Sequence, residues 1–324
     1  LETALADDLG LPNPVLVGNG TVAIMLAIEA VLPPGGGEII VPSFTFAATA
    51  NAIVWAGFDP VFADIEATTM TVAPESIEAL IGPRTVAIMP VHPFGGLCDV
   101  DAIDRLAAAN DVTVIHDSAQ AVGLRFRGAP LGGHGRAETF SLHTTKVLPA
   151  GEGGVVTSND PAVADRIRRS RNFGLGSDEA INGLNGKITE FAAVVGLRSL
   201  ERLEGNLARR RLASNEIRRL LDPVPGLLLQ RIDPEVETNA QNLALRIDAE
   251  AFGLDADQVA RALAGDNVLA RRYFNPCVHQ LPMFGPCRRG DLAVSELVTS
   301  QGLSLPRASD MTDDEMEAVA GSLA

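Results

Sequence analysis

A lysine, an aspartate and a glycine–threonine turn carry the chemistry open to this sequence. The stretch FSLHTTKVLPAGEGG, Phe140–Gly154, sets Lys146 beside the hydroxyls of Ser141 and Thr145, with Gly151, Gly153 and Gly154 following. That lysine has three possible uses: a solvated charge, a phosphate contact, or a covalent partner for a carbonyl. An ordinary lysine, with a pKa of roughly 10.4, is protonated at neutral pH. A buried lysine with a depressed pKa can form a Schiff base with an aldehyde. Asp117 ends the apolar run VTVIHD, where an unpartnered carboxylate is costly to bury. It either caps a following helix or meets a cationic ring nitrogen. In GNGTVA, Gly18–Ala23, residues Gly20, Thr21 and Val22 open a helical stretch. Free N–H groups at such a start favour an anion, although a strand-to-helix turn also uses Gly and Thr for structure alone. Taken together, the three features are the handles of pyridoxal 5′-phosphate: a cradle for its phosphate, a carboxylate for its pyridinium nitrogen and an amine for its aldehyde.

These residues need a scaffold that gathers strand ends. Apolar runs at Pro14–Gly18, Glu38–Pro42, Asp59–Ile65, Thr85–His92, Val112–Asp117, Glu138–Leu142 and Gly153–Ser158 alternate with helical patterns such as TVAIMLAIEAVL and DAIDRLAAAN. Continuous apolar strands alternating with helices predict an α/β fold with a mainly parallel sheet covered on both faces. Ligands bind such sheets beyond the carboxyl ends of the strands, which is where the candidate residues lie. VGLRFRGAPLGG reads as a hairpin-like excursion. Helical periodicity from Glu190 to Leu221 predicts one long connecting helix, and DPVPG then breaks the chain. The expected division is a large domain over 1–221 and a smaller C-terminal α/β domain over 222–324.

Composition narrows the function further. The 324 residues are 46% hydrophobic and 21% charged, a globular balance. A net charge of −15, with no basic run longer than Arg209–Arg211, argues against nucleic acid and anionic membrane surfaces. Cys98, Cys277 and Cys287 are scattered and form no CxxC pair, so reduced thiols, a cytoplasmic setting and no bound metal are expected. No apolar run has the length of a membrane span, and no signal peptide is visible at the start of the chain.

With these residues in place, the chain resembles the DegT/DnrJ/EryC1/StrS family of sugar aminotransferases along nearly its whole length. GNGTVAIMLAI is similar to the family's phosphate turn. VPSFTFAATANAIVWAGFDPVFADIE is similar to its next block, which implies that Phe46 stacks on the cofactor ring. VHPFGGLCDVDAI and HDSAQAVG follow in family order, implying Asp117 as pyridinium partner and Gln120 as a contact to the ring hydroxyl. The lysine block implies Ser141 on the phosphate and Lys146 as Schiff-base residue. LNGKITEFAAVVGLRSLERLE resembles a segment that reaches into a neighbouring subunit, implying a homodimer in which Asn185, and with it Lys187, touches the partner's phosphate. ARRYFNPCVHQLPMF and LSLPRASDMTDDEM resemble the C-terminal blocks.

The resemblance implies an aspartate-aminotransferase-like fold of type I. It implies ping-pong transfer of an amino group from L-glutamate or glutamine to a keto group of a nucleotide-linked deoxysugar. A keto-cyclitol acceptor, or a cofactor-binding regulatory dimer without turnover, is the alternative. His143, Arg271, Arg272, Tyr273, Asn275 and His279 are the substrate candidates. The sequence also departs from the family. Tyr and Arg of its Asn-Tyr-Arg-Met-x-Glu run are Gly186 and Lys187 here, and Phe94 stands where Tyr is common. Family members usually carry a further N-terminal segment that helps shape the sugar site.

Overall fold

The structure, a computed structural model, describes residues 1–176, 180–306, 309 and 311–323. Part of the LSLPRASDMTDDEM block (307, 308 and 310) therefore lies outside the described residues, as does 324. The strands in chain order are β1 (Val15–Val17), β2 (Glu38–Pro42), β3 (Asp59–Ala63), β4 (Thr85–Ile88), β5 (Thr113–Asp117), β6 (Arg125–Phe126), β7 (Ala129–Pro130), β8 (Ala137–Ser141), β9 (Gly154–Thr157), β10 (Leu227–Leu229), β11 (Val236–Glu237), β12 (Leu243–Ile247) and β13 (Gly302–Leu305).

Seven of them form one sheet in the order β1-β9-β8-β5-β4-β2-β3. The run β8-β5-β4-β2-β3 is parallel, and β9 and β1 close one side antiparallel. Residues of β2, β8 and β9 are buried throughout, as expected for strands covered on both faces. One face packs Val41, Met89 and Ile115 against Ala23, Ile24 and Ala27 of helix Gly20–Val31. The other packs Ile40, Ile88 and Val114 against Ile77 and Ile103 from helices Pro74–Leu80 and Val100–Asn110. The excursion after β5 is the hairpin β6–β7, and β11 adds to its edge.

The predicted connecting helix is corrected to two, Glu190–Leu200 and Leu203–Leu221. The N–H of Arg202 bonds to the carbonyl of Ser199 rather than to a residue four back, and the next helix starts when Asn206 N–H reaches the Arg202 carbonyl. Buried positions recur every three or four residues across the break (Ala192, Gly196, Leu200, Leu203, Leu207), so periodicity alone cannot locate it. Farther on, Ala213, Ile217 and Leu221 turn to a second core beneath the antiparallel sheet β10-β12-β13. The chain after 222 also returns to the large sheet, where Val278, Phe284 and Leu292 are buried.

Candidate active site

The carboxyl ends of β5 and β8 and the start of helix Gly20–Val31 open onto a cavity of about 1100 Å³. A pocket for one small ligand typically holds some 300–1,000 Å³, so there is room for more than one molecule. Gly20, Thr21, Phe46, Asp117, Gln120, Ser141, His143, Lys146, Arg271 and Tyr273 line it.

The anion-binding end is set by a cap and two close approaches. Asn19 caps the helix by accepting the Val22 N–H at 2.9 Å, which leaves the N–H groups of Gly20 and Thr21 at the helix start without an intrahelical partner. Val22 is corrected on this ground: its N–H is already committed and it does not line the cavity. A Cβ on Gly20 would lie 3.0 Å from Ser141 Cβ, and one on Gly154 would lie 2.4 Å from the Asn19 carbonyl oxygen. Gly154 therefore makes room for the protein's own turn, not for a ligand.

Asp117 ends β5 and is buried. No helix follows it, so capping is excluded as its role. Its Oδ2 accepts from Thr49 Oγ1 at 2.8 Å and its Oδ1 from Ala119 N–H at 3.1 Å. Among the described residues no cation lies within ion-pair distance of this carboxylate. Burial pushes its pKa up, outweighing the two hydrogen bonds and the more distant charge of Lys146. Phe46 precedes helix Ala47–Trp55, the helix that supplies Thr49, and exposes 62% of its surface at the cavity. Gln120 Oε1 accepts the backbone N–H of Phe94 at 2.6 Å. That partner fixes the amide orientation and leaves Nε2 as the donor.

Lys146 follows β8 in a turn clamped by one distant side chain. Gln241 donates from Nε2 to the Thr145 carbonyl at 2.9 Å and accepts the Val147 N–H on Oε1 at 3.2 Å. Lys146 Nζ has no hydrogen-bond or ion-pair partner among the described residues. Burial lowers its pKa, and Asp117 opposes this in part. His143 lies at the cavity, its Nδ1 2.9 Å from Thr145 Oγ1.

Other candidates fall elsewhere. Arg272 turns away to pair with Asp257 and donates to the carbonyls of Thr299 and Ser300. His279 is buried between Ser43 Oγ, 2.6 Å from Nδ1, and Glu296, 3.1 Å from Nε2. Neither lines the cavity, and neither does Asn275. In both Arg272 and His279 side chains distant in sequence satisfy the group that the sequence offered to a substrate. Asn185 and Lys187 are exposed, outside the cavity of their own chain. Lys187 Nζ donates to Asn172 Oδ1 at 3.2 Å and lies 4.8 Å from the Phe173 ring centre. Sequence reasoning missed Thr49 and Gln241. Thr49 was legible as a hydroxyl in the first helical turn after Phe46; Gln241 gave no local signal, because it acts on a turn almost a hundred positions away.

Behind Asp117 lies a buried polar layer. His92 Nδ1 accepts the Cys98 N–H at 3.2 Å, so its proton sits on Nε2 and is donated to His116 Nδ1 at 3.0 Å. Burial pushes the His92 pKa down to about 3. His92, Cys98 and His116 bring metal-ligand atoms within 4.8 Å of one another. With both His92 nitrogens engaged, the group is polar packing. Nearby, Glu138 accepts from Ser118 Oγ at 2.5 Å and from the His134 N–H at 3.2 Å. Burial still pushes its pKa up to about 7. A raised carboxyl pKa contributes stability that is complete below the ordinary carboxyl range and is lost as pH rises through the folded-state value. Glu138→Gln should therefore gain stability relative to the parent chain between about pH 5 and pH 8, by on the order of 3 kcal/mol at most. Melting temperatures of both proteins across that range check this; parallel curves would refute it.

The sheet order and the cavity at its carboxyl edge, with an amine, a carboxylate and a helix start around it, define an α/β enzyme of the aspartate-aminotransferase-like class. The chain matches the model of the DegT/DnrJ/EryC1/StrS aminotransferase family over residues 1–324 and belongs to that family; it is an aminotransferase. It is 33% identical over 330 residues to a GDP-perosamine synthase of Caulobacter vibrioides, covering 99% of this chain and 88% of the relative. It is 31% identical to a dTDP-4-amino-4,6-dideoxy-D-glucose transaminase of Escherichia coli, covering 97% and 85%. Its structure is similar to that of DesI crystallised with its TDP-sugar product, with a TM-score of 0.94 and 34% identity over 99% of this chain and 82% of that one. Among the described residues no helix is long and apolar enough to cross a membrane.

Proposed function

We propose that this chain uses pyridoxal 5′-phosphate to move an amino group from L-glutamate or glutamine to a keto group of a nucleotide-linked deoxysugar. The observation that carries the reading is Asp117, a buried carboxylate held by two neutral donors, on the same cavity as a lysine amine with no partner among the described residues. The relatives named for GDP- and dTDP-linked sugars support the acceptor class.

When bound, the cofactor supplies a carbonyl for an amine and an electron-withdrawing ring. The N–H groups of Gly20 and Thr21, with Ser141 Oγ, bind its phosphate. Asp117 keeps a proton on the ring nitrogen, since an adjacent anion favours the charged form. Gln120 Nε2 donates to the ring oxygen, and Phe46 covers a ring face. Lys146 would be the residue that holds the cofactor's carbonyl carbon, and its Nζ, when free, would be the base that moves a proton between the two carbons on either side of the transferred nitrogen. Its lowered pKa raises the fraction of neutral amine available for both tasks. Gln241 fixes the turn, and such positioning is worth several kcal/mol in favourable cases.

A panel of dTDP-, GDP- and UDP-linked ketosugars, run beside scyllo-inosose with glutamate as donor, tests the acceptor. Turnover of at least one nucleotide ketosugar is expected. Turnover of the inosose alone would replace the sugar by a cyclitol.

A second copy of the chain is part of this reading. Phe191, Val194 and Leu197 are exposed on one face of helix Glu190–Leu200, and Trp55, Phe173 and Leu175 are exposed as well. Apolar area of this kind supports an interface, and in this reading Asn185 and Lys187 belong to the partner's cavity. Dilution into the monomer should weaken cofactor binding along with association, as measured by sedimentation and cofactor titration. Full cofactor affinity in the monomer would exclude a shared site.

A further inference from the structure

Gln241 belongs to a strap that grips more of the site than the lysine turn. Residues 238–242 join β11 to β12 outside either strand. Asn239 is fully buried there. Its Nδ2 donates to the carbonyls of Gln120 and Val122 at 2.8 and 2.9 Å, and its Oδ1 accepts the Gln241 N–H at 3.0 Å. Both amide protons and the amide oxygen of Asn239 are thereby in use. Gln241 commits both ends of its own amide to the backbone on either side of Lys146. Thr238 Oγ1 donates to the Gly95 carbonyl at 2.8 Å, and the Asn242 N–H to the Phe94 carbonyl at 3.3 Å. Phe94 in turn holds the Gln120 side chain, so Phe94, Gln120, Asn239 and Asn242 close a ring of contacts. The strap is pinned from behind by helix Leu203–Leu221. Arg210, itself buried, donates to the carbonyls of Ala240 and Gln241 at 3.2 and 2.8 Å, and Arg211 to that of Thr238 at 2.7 Å. At its centre Ala240 has a φ of 48°, a left-handed conformation that is costly for a residue other than glycine. Gly95 permits the close approach: a Cβ there would lie 2.6 Å from Thr238 Oγ1 and 2.7 Å from Asn239 Oδ1.

We infer that Asn239 and Gln241 are positioning residues, through which one strap sets the Gln120 loop and the Lys146 turn in register with each other. This rests on the pyridoxal-phosphate reading above. The sheet does not supply that register, because the β5–β8 ladder ends at Asp117 and Thr139, short of both residues. The ring oxygen and the carbonyl of the cofactor lie on neighbouring ring carbons, so the groups that serve them need a fixed spacing. Lysine carries its amine on a flexible four-carbon stem, and the turn beneath it limits where that amine goes. Asn239 does not line the cavity and so acts only through its neighbours. Neutral amides suit the task, since neither adds a charge that would move the pKa of the lysine amine or of the ring nitrogen.

The test compares Asn239→Ala, Gln241→Met and the double variant with the parent chain, each with and without cofactor. Methionine keeps the length of Gln241 and removes both of its side-chain hydrogen bonds. Without cofactor, hydrogen exchange of the Val147 amide should quicken by about tenfold in Gln241→Met, where the acceptor is lost directly. It should also quicken in Asn239→Ala, where the effect has to travel along the strap. With cofactor, the single-turnover rate of the glutamate half-reaction, read from the visible band, should fall by about 10–10²-fold in each single variant. Half-saturation by glutamate should change much less, as expected where orientation rather than binding is lost. The double variant should be little slower than the worse single one, because both side chains act through the same strap. A parent-like rate in Gln241→Met would overturn the inference. So would Val147 exchange that ignores Asn239→Ala, losses that multiply in the double variant, or a defect confined to half-saturation. If Asn239→Ala does not fold, the exchange and the rate of Gln241→Met decide alone. A parent chain whose band does not respond to glutamate would defeat the pyridoxal-phosphate reading itself; a responsive parent with unaffected variants would defeat only the strap.

Discussion

Lys146→Ala is expected to remove transamination, with kcat/KM falling by about four orders of magnitude or more, because in the proposed mechanism one side chain supplies both the covalent contact and the proton transfer. The visible cofactor band should no longer respond to glutamate. The fold should survive. Lys146 Nζ has no hydrogen-bond or ion-pair partner among the described residues, so truncation removes no polar contact and relieves a partly buried charge. Lys146→Arg separates the roles. Arginine keeps a positive charge beside Asp117 but cannot be deprotonated, so it can neither attack a carbonyl nor accept a proton. Activity in the arginine variant near the parent level would mean that Lys146 acts only as a charge. Single-turnover measurements with glutamate, beside a melting curve for each variant, decide between these outcomes.

The frame of this site was legible because its parts are local. Each of Gly20, Asp117, Ser141 and Lys146 follows or ends an apolar strand, and a parallel sheet gathers strand ends on one edge. Elements set by short-range patterns therefore emerged from the sequence: the central strands, the β6–β7 hairpin and the helix start at Gly20. What stayed hidden depends on side chains meeting over long separations. Gln241 clamps the lysine turn from almost a hundred positions farther along the chain. Arg272 and His279 looked available until Asp257 in one case, and Ser43 and Glu296 in the other, were seen to occupy them. Composition could not show that Arg198 pairs with Glu201 while Arg202, which lines the cavity, has no carboxylate partner among the described residues. The break between Leu200 and Leu203 was hidden for a related reason: the burial pattern runs through it unchanged.

Asp117→Asn should move activity and stability in opposite directions. In the proposed reaction the carboxylate is needed as an anion beside a cationic ring nitrogen. An amide cannot hold that charge, so kcat should fall by about 10²–10⁴. Without cofactor the same carboxylate is a liability, because burial has raised its pKa and two neutral donors do not repay the lost hydration. Asparagine fits the space it leaves. Its Oδ1 can accept the Ala119 N–H, and its Nδ2 can donate to Thr49 Oγ1 once that hydroxyl turns to Thr45 Oγ1, which lies 3.0 Å away. The cofactor-free variant should therefore be more stable than the parent by on the order of 1–2 kcal/mol. The sign with pH follows from the raised pKa. The parent keeps the benefit of a neutral Asp117 below the ordinary carboxyl range and loses it as pH rises through the folded-state value, so the variant's advantage should be larger at about pH 8 than at about pH 5. Adding cofactor should shrink or reverse the difference, since only the parent carboxylate gains a cationic partner. Paired melting curves with and without cofactor at both pH values test the argument. A variant that loses stability without cofactor and keeps its activity would make Asp117 a structural residue and remove the main support for the proposed chemistry.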